Sequence, residues 1–266
     1  VRGAEWGAGL VGCALVWLVM RHLDGSYEQT FVIGGLSAIG ASVFFAAMRM
    51  PDAHLQRPKF VWNRRYWLYY VLSFLFGARK QIFLTFGPWV LIQLFGQPAY
   101  VFAVLGIIAM VLGIAFQPAL GRAIDRFGER AVLSTDAVLT AGICLGYGFA
   151  HWLPGRSLAL GMLFTCYVLD QLLFGVGMAR DTYLSKIVVQ PDHVAPTLSL
   201  GVSINHAVSM SIPTLGGLLW LHSGHSAVFM VAAGISAVTF CFALRIRLPA
   251  GAGQAEERMA VCPNGG

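Results

Sequence analysis

Eight apolar runs, each about as long as a bilayer core is thick, follow one another along the 266 residues with mostly short polar turns between them. They cover approximately 6–22, 30–49, 67–95, 99–120, 131–152, 157–179, 195–221 and 226–246. A hydrocarbon core is roughly 30 Å thick, and about 20 helical residues cross it. Within lipid every backbone N–H and C=O must be satisfied inside the protein, which restricts the choice to helices and closed barrels. The apolar–polar alternation of barrel strands is absent. The expected fold is therefore all-α: a polytopic membrane protein of about eight transmembrane helices.

Composition excludes most alternatives. The chain is 57% hydrophobic and 11% charged, against roughly 25% charged residues in a soluble domain. It has too few charges to cover a water-facing surface. The formal net charge of +6 does not indicate nucleic acid, because the basic residues sit in turns and form no helical stripe interleaved with aromatics. The cysteines (Cys13, Cys144, Cys166, Cys241 and Cys262) show no CxxC or metal-ligand spacing. No signal-peptide pattern precedes the first run. The chain opens on Val1 and enters an apolar run almost at once, which reads as part of a longer protein.

Lysines and arginines divide unequally between the two sides of such a bundle. One side receives Arg2, Arg49, Arg57, Lys59, Arg64, Arg65, Arg122, Arg126, Arg130, Arg180, Lys186, Arg245, Arg247 and Arg258; the other receives Arg21 and Arg156. Cytoplasmic loops carry the excess of Lys and Arg, so the fourteen-residue side is predicted to be cytoplasmic, with both termini on it.

Residues 121–130, GRAIDRFGER, form a charged turn between two apolar runs. The pattern Gly121, Asp125, Arg126, Gly128, Arg130 resembles the cytoplasmic loop signature of the major facilitator superfamily, the large class of twelve-helix secondary transporters. The family usually has a basic residue where this chain has Glu129. A second, looser match is Pro213-Thr214-Leu215-Gly216-Gly217, which resembles a Gly-Pro-x-x-Gly-Gly element of antiporter-type members, with Ile212 in place of the first glycine. Proline and glycine are also ordinary in membrane helices, where they permit kinks and close packing.

The resemblance implies an MFS-type helical bundle. Residues 1–50 would be the last two helices of the N-terminal bundle, and 51–65 the basic cytoplasmic linker. Residues 66–248 would form the C-terminal six-helix bundle, and 249–266 a disordered cytoplasmic tail. The chain would then be family helices five to twelve, with the preceding helices of the same transporter as its partner. A second register, in which the motif turn lies between family helices two and three, stays open. The activity implied is transport of a small solute by alternating access, coupled to an ion such as the proton, with efflux antiport as one form. The location implied is the bacterial inner membrane. No cofactor, metal or nucleic acid is expected. The alternative is a membrane-embedded enzyme or a scaffold that binds partners, but no phosphate loop, nucleophile elbow or HExxH is present.

Ionisable residues at membrane depth are the candidate substrate or coupling groups, because each costs about 2.5–3.5 kcal/mol at a helix centre on insertion scales. Arg79 and Lys80 fall near the middle of the third run and Asp170 within the sixth. A charge pair between one of the cations and Asp170 is expected, acting either in coupling or as a structural neutralisation. Two cations against one anion would favour an anionic or zwitterionic substrate. Ser199, Ser203, His206, Met210, Pro213 and Gly217 share a helical face that Asn205 flanks, and His206 could couple a proton. Asp125 and its neighbouring arginine would hold one conformation of the transport cycle. Asp136 and the Arg180–Asp181 pair are assigned to the same cytoplasmic charged layer. Gly87-Pro88 is a candidate kink or gate. His222 and His225, three apart in the outer turn, make a poor metal site by themselves.

Overall fold

The computed structural model describes residues 2–22, 27–47, 63–188 and 190–246. The linker up to residue 62 and the C-terminal tail lie outside the described residues. Among the described residues the chain is helical and contains no strand. The helices are α1 Arg2–His22, α2 Tyr27–Ala47, α3 Trp67–Gln93, α4 Tyr100–Phe149, α5 Arg156–Leu173, α6 Gly177–Ile187 and α7 Val194–Ala243. Short 3-10 turns fill several of the joints. Four helical stretches are long and apolar enough to cross a membrane: Glu28–Ala47, Tyr100–Trp152, Arg156–Ile187 and Val194–Ala243.

The chain forms two compact units. The first comprises Val1–Lys59 and Gln97–Ile114. Here α1 runs antiparallel to the start of α4: Gly9 lies beside Met110, Gly106 beside Cys13, and the Arg21 guanidinium sits 5.4 Å from the Tyr100 ring centroid. Small residues let the helices approach closely, as in lipid-embedded pairs. The apolar side chains of α2, among them Phe31, Leu36, Ile39, Val43 and Phe44, stay exposed. The start of α4, residues 100–114, packs with α1 in this unit.

The second unit comprises Phe60–Gly96 and Ala115–Gly266, with α3 at its centre. The 50-residue α7 would extend about 75 Å if straight. It is not straight, because Gly224 has non-helical angles (φ 78°, ψ 175°). Both ends of α7 lie at the start of α3: His193 meets Tyr66, and Phe242 meets Trp67 edge to face at 5.9 Å. Trp220 stacks on Phe86 near the far end of α3. The arm before Gly224 therefore runs parallel to α3, and the arm after it returns.

Gly128 does the same in α4 (φ 78°, ψ 163°). Phe116 and Leu139 line one groove although 23 residues separate them, a distance only a reversed chain allows. The arm after Gly128 runs parallel to α3, since Asp136 meets Arg79 and Tyr147 meets Phe83 and Gly87. The sequence motif thus lies at a true reversal, and its second glycine is the hinge.

Positive φ with ψ near 180° is a region that essentially only glycine occupies, at a cost of about 1–3 kcal/mol for other residues. No neighbouring atom would obstruct a Cβ at Gly128 or Gly224. Gly128→Ala and Gly224→Ala should each lose about 1–3 kcal/mol of stability through backbone strain alone. The check is the unfolding free energy in detergent. A change below a few tenths of a kcal/mol would show that the reversals relax freely.

Because the helices of this unit alternate, their charged ends sort. Arg64, Arg65, Arg126, Arg130, Lys186 and Arg245 lie at the end where α3 begins. Arg156, whose Nη2 donates to the carbonyl of Phe95 at 2.7 Å, lies at the other end with the Gly224 turn. Within this unit the sorting follows the division of basic residues read from the sequence. Pro88 does not break α3, which continues to Gln93.

Candidate functional site

The centre of the second unit holds charges. Arg79 stands on α3 twelve residues from its first residue and fourteen from its last, about 18 and 21 Å at helical rise. It is only 3% exposed. The side chain leaves α3 on the face turned to the returning arm of α4. There Nη1 donates to Asp136 Oδ1 (3.0 Å), to Asp136 Oδ2 (2.8 Å) and to Thr140 Oγ1 (2.6 Å). Asp136 is 5% exposed and Thr140 fully buried.

This corrects two expectations. Arg79 takes its ion pair from Asp136, not from Asp170. Asp136 is not part of a surface charged layer, because the arm after Gly128 carries it down against α3. Asp170, on α5 and 3% exposed, lies close enough to interact electrostatically with both Arg79 and Asp136. Among the described residues its Oδ1 has no hydrogen-bond partner, and neither have Nε and Nη2 of Arg79. The structure therefore brings Arg79 and Asp170 into one electrostatic cluster while leaving donors and an acceptor unmatched between them.

Lys80, next to Arg79, leaves α3 in another direction, is half-buried, and makes no hydrogen bond or ion pair among the described residues. The expected Arg180–Asp181 pair forms, with Nη2 3.3 Å from Asp181 Oδ1, but Arg180 does not stand free at the surface. It is mostly buried on α6, with its guanidinium 4.7 Å from the Phe76 ring centroid and 5.8 Å from that of Tyr69. Phe76 is shared, since Arg79 lies 5.4 Å from the same centroid. Such contacts are worth about 2 kcal/mol when desolvated. One buried arginine, Arg79, thus faces two buried aspartates, Asp136 and Asp170. A surplus of positive charge is not built at this cluster.

On α7 the stripe Thr197, Gly201, Asn205 and Ser209 is buried. Asn205 packs its backbone against Gly77, and Ser209 Oγ donates to the Gly77 carbonyl at 3.2 Å. The face with Ser199, Ser203, His206 and Met210 is exposed. His206 therefore stands apart from the Arg79 cluster, while Asn205 belongs to the interface between α7 and α3.

At the motif turn, Asp125, Arg126 and Arg130 are exposed, and Asp125 makes no ion pair among the described residues. Gly121 is half-buried before the turn. The ion pair of this region is formed by Glu129, 0% exposed, whose Oε1 receives Lys186 Nζ at 2.8 Å. The residue that departs from the family pattern thus ties the turn to the end of α6. Glu129, Asp136 and Thr140 are spaced seven and four apart, one helical face. That spacing was the available signal for Thr140, which the apolar run by itself does not single out.

Compared with family models, with curated proteins and with solved structures, the chain matches none of them.

Proposed function

We propose that the protein is a secondary active transporter of the major facilitator type, moving a small solute by alternating access with proton coupling. The observation that carries this reading is the buried Arg79–Asp136–Thr140 cluster with Asp170 beside it, at mid-height of an apolar helical unit. Ionisable groups at membrane depth mark substrate and proton pathways by default. The sorting of basic residues to one end supports a bundle that spans the bilayer with that end in the cytoplasm. The remaining helices of the eight-span arrangement, the partner helices of an N-terminal half and the bacterial inner membrane belong to the same reading.

Arg79 can serve two carboxylates. Nη1 holds Asp136, while Nε and Nη2 are open toward a second acceptor. When Asp170 is charged it competes for the guanidinium; when it is protonated, Asp136 keeps it. A proton on Asp170 would thereby bias Arg79 between α4 and α5, two discrete arrangements of the kind that support switching. Coupling then needs no nucleotide and no metal.

Topology and coupling are tested separately. Reporter fusions after residues 128 and 188 should report the cytoplasm, and fusions after 96, 154 and 224 the opposite side. Any other pattern overturns the membrane arrangement. In inverted vesicles holding a proton gradient, at least one solute from a panel of cations, anions and zwitterions should discharge the gradient in a protein-dependent way, and Asp170→Asn should abolish it. Undiminished discharge by that variant would remove Asp170 from the coupling path.

A further inference from the structure

At the end of the second unit remote from the motif turn, two chain reversals meet through one side-chain contact. His151 lies in the turn Ala150–Trp152 that follows α4, and His225 directly follows the Gly224 reversal of α7. His151 Nδ1 stands 3.3 Å from His225 Nε2. The rings are nearly perpendicular, at 78° with centroids 4.9 Å apart, so nitrogen meets nitrogen and the faces do not stack. His222, three residues before His225, takes no part: its Nδ1 lies 2.9 Å from the Leu218 carbonyl of its own helix.

We propose that the His151–His225 contact is an acid-sensitive clasp between the two reversals, closed while the pair carries at most one positive charge and opened when both rings are protonated. The proton count follows from Ser226. Its hydroxyl donates to the Gly148 carbonyl at 2.8 Å, so Oγ, 3.4 Å from His225 Nε2, is left to accept. His225 Nε2 therefore carries the hydrogen, and His151 Nδ1 accepts it. One added proton on His151 is housed by reversing the bond: His151 Nδ1 donates, and the hydrogen of His225 moves to its own Nδ1. A second proton sets N–H against N–H, because both nitrogens of an imidazolium are donors. No arrangement of hydrogens then restores the bond, and two like charges stand in contact.

Nothing around the pair absorbs that second charge. Arg156, always charged, lines the same 230 Å³ cavity as His151, together with Leu94 and Phe95 at the end of α3. The Trp152 ring lies 5.7 Å from that of His151, and the Trp220 ring 5.9 Å from that of His225; neither carries a charge. No Asp or Glu occurs in residues 53–124, 137–169 or 193–255, the stretches that supply the second unit's elements at this end. In an unfolded chain each ring titrates at about 6.5. The folded clasp resists the second proton. Its contribution to stability is therefore complete above that pH and is lost as the pH falls through the lower step of the coupled pair. The clasp concerns only the two turns and does not rest on the transport reading.

The test uses the full chain in detergent. Histidine ring resonances are followed by NMR from about pH 8 to about pH 5, with His151 and His225 assigned by their loss in His151→Gln and His225→Gln. In the wild type the two rings should titrate in two separated steps. In His151→Gln, His225 should return to a single step, and His222→Gln should leave both steps in place. Opening is read by hydrogen–deuterium exchange of residues 150–156 and 222–227, corrected for the intrinsic pH dependence of exchange. Wild-type protection should fall on acidification by up to about tenfold for each pKa unit by which the lower step lies under the ordinary value. Protection in His151→Gln should not fall. A single ordinary step for both rings in the wild type overturns the clasp. So does wild-type protection that stays constant with pH, or that falls equally in His151→Gln. An effect of His222→Gln equal to that of His151→Gln also overturns it and places the coupling within α7. Should the glutamine variants fail to fold, wild-type exchange decides: constant protection removes the clasp, and a fall confined to the two turns supports it.

Discussion

Asp136→Leu should be among the most damaging single changes in this protein, costing about 3–5 kcal/mol. The substitution leaves the Arg79 guanidinium 3% exposed, with Thr140 as its remaining hydrogen-bonded partner. A buried charge stripped of its hydrogen-bonded counterion is worse than no charge, because the desolvation already incurred is less fully offset by attraction; Asp170 stays nearby but makes no hydrogen bond to Arg79 among the described residues. Removing both ends, as in Arg79→Met with Asp136→Leu, should recover most of the loss, since well-packed apolar replacements of a buried pair are often neutral or better. Unfolding free energies in detergent across this double-mutant cycle decide the matter. A double variant as unstable as the single one would mean that the pair is not what holds α3 to α4. Transport should be lost in all three variants, including the stable double one. That combination separates a functional pair from a merely structural one.

Gly77→Leu should separate α3 from α7. Even a single Cβ at position 77 would lie 2.7 Å from the Asn205 carbonyl oxygen and 3.0 Å from its Cα. Both are backbone atoms of a helix, so no side chain can rotate away. Overpacking of a tight interface typically costs about 1–3 kcal/mol. Here it also breaks the Ser209 hydrogen bond to the Gly77 carbonyl. Gly77→Ala should show the lower end of that range and Gly77→Leu the upper end or beyond. The comparison position is Gly121, which has open space around a Cβ and ordinary helical φ. Gly121→Ala should be close to neutral in the same unfolding assay. Equal effects at the two positions would mean that the contact between α3 and α7 is looser than its geometry.

Both predictions concern positions that the sequence brought forward only in part. Arg79 was legible as a buried cation, because it interrupts an apolar run and intramembrane charge is costly. Its partner was not. Asp136 lies only eight residues beyond Gly128, and by chain distance it reads as belonging to the charged turn. Only the reversal at Gly128, followed by an arm parallel to α3, brings it to the depth of Arg79. Gly77 likewise reads as one small residue among many until Asn205 is found against it.

The sequence by itself determined the class of fold and the places where the chain turns. Hydropathy acts locally: a run of apolar side chains must be helical in lipid whatever surrounds it, and Gly128 and Gly224 carry their permissive backbone with them. The apolar runs are accordingly helical in the described residues, and both glycines sit at reversals. The sorting of basic residues to one end of the second unit was legible for the same reason, since it follows from alternating helices.

Tertiary structure alone decided which groups meet. Helical spacing fixes the direction a side chain takes around its own axis, but not which neighbouring helix stands there. That choice gave Arg79 to Asp136 rather than Asp170 and set Arg180 on Phe76. It also tied Glu129 to Lys186 and brought His225 to His151 instead of His222. Each pairing joins different helices or turns, and the energy that selects it comes from burial and charge neutralisation across the bundle, which no single segment contains.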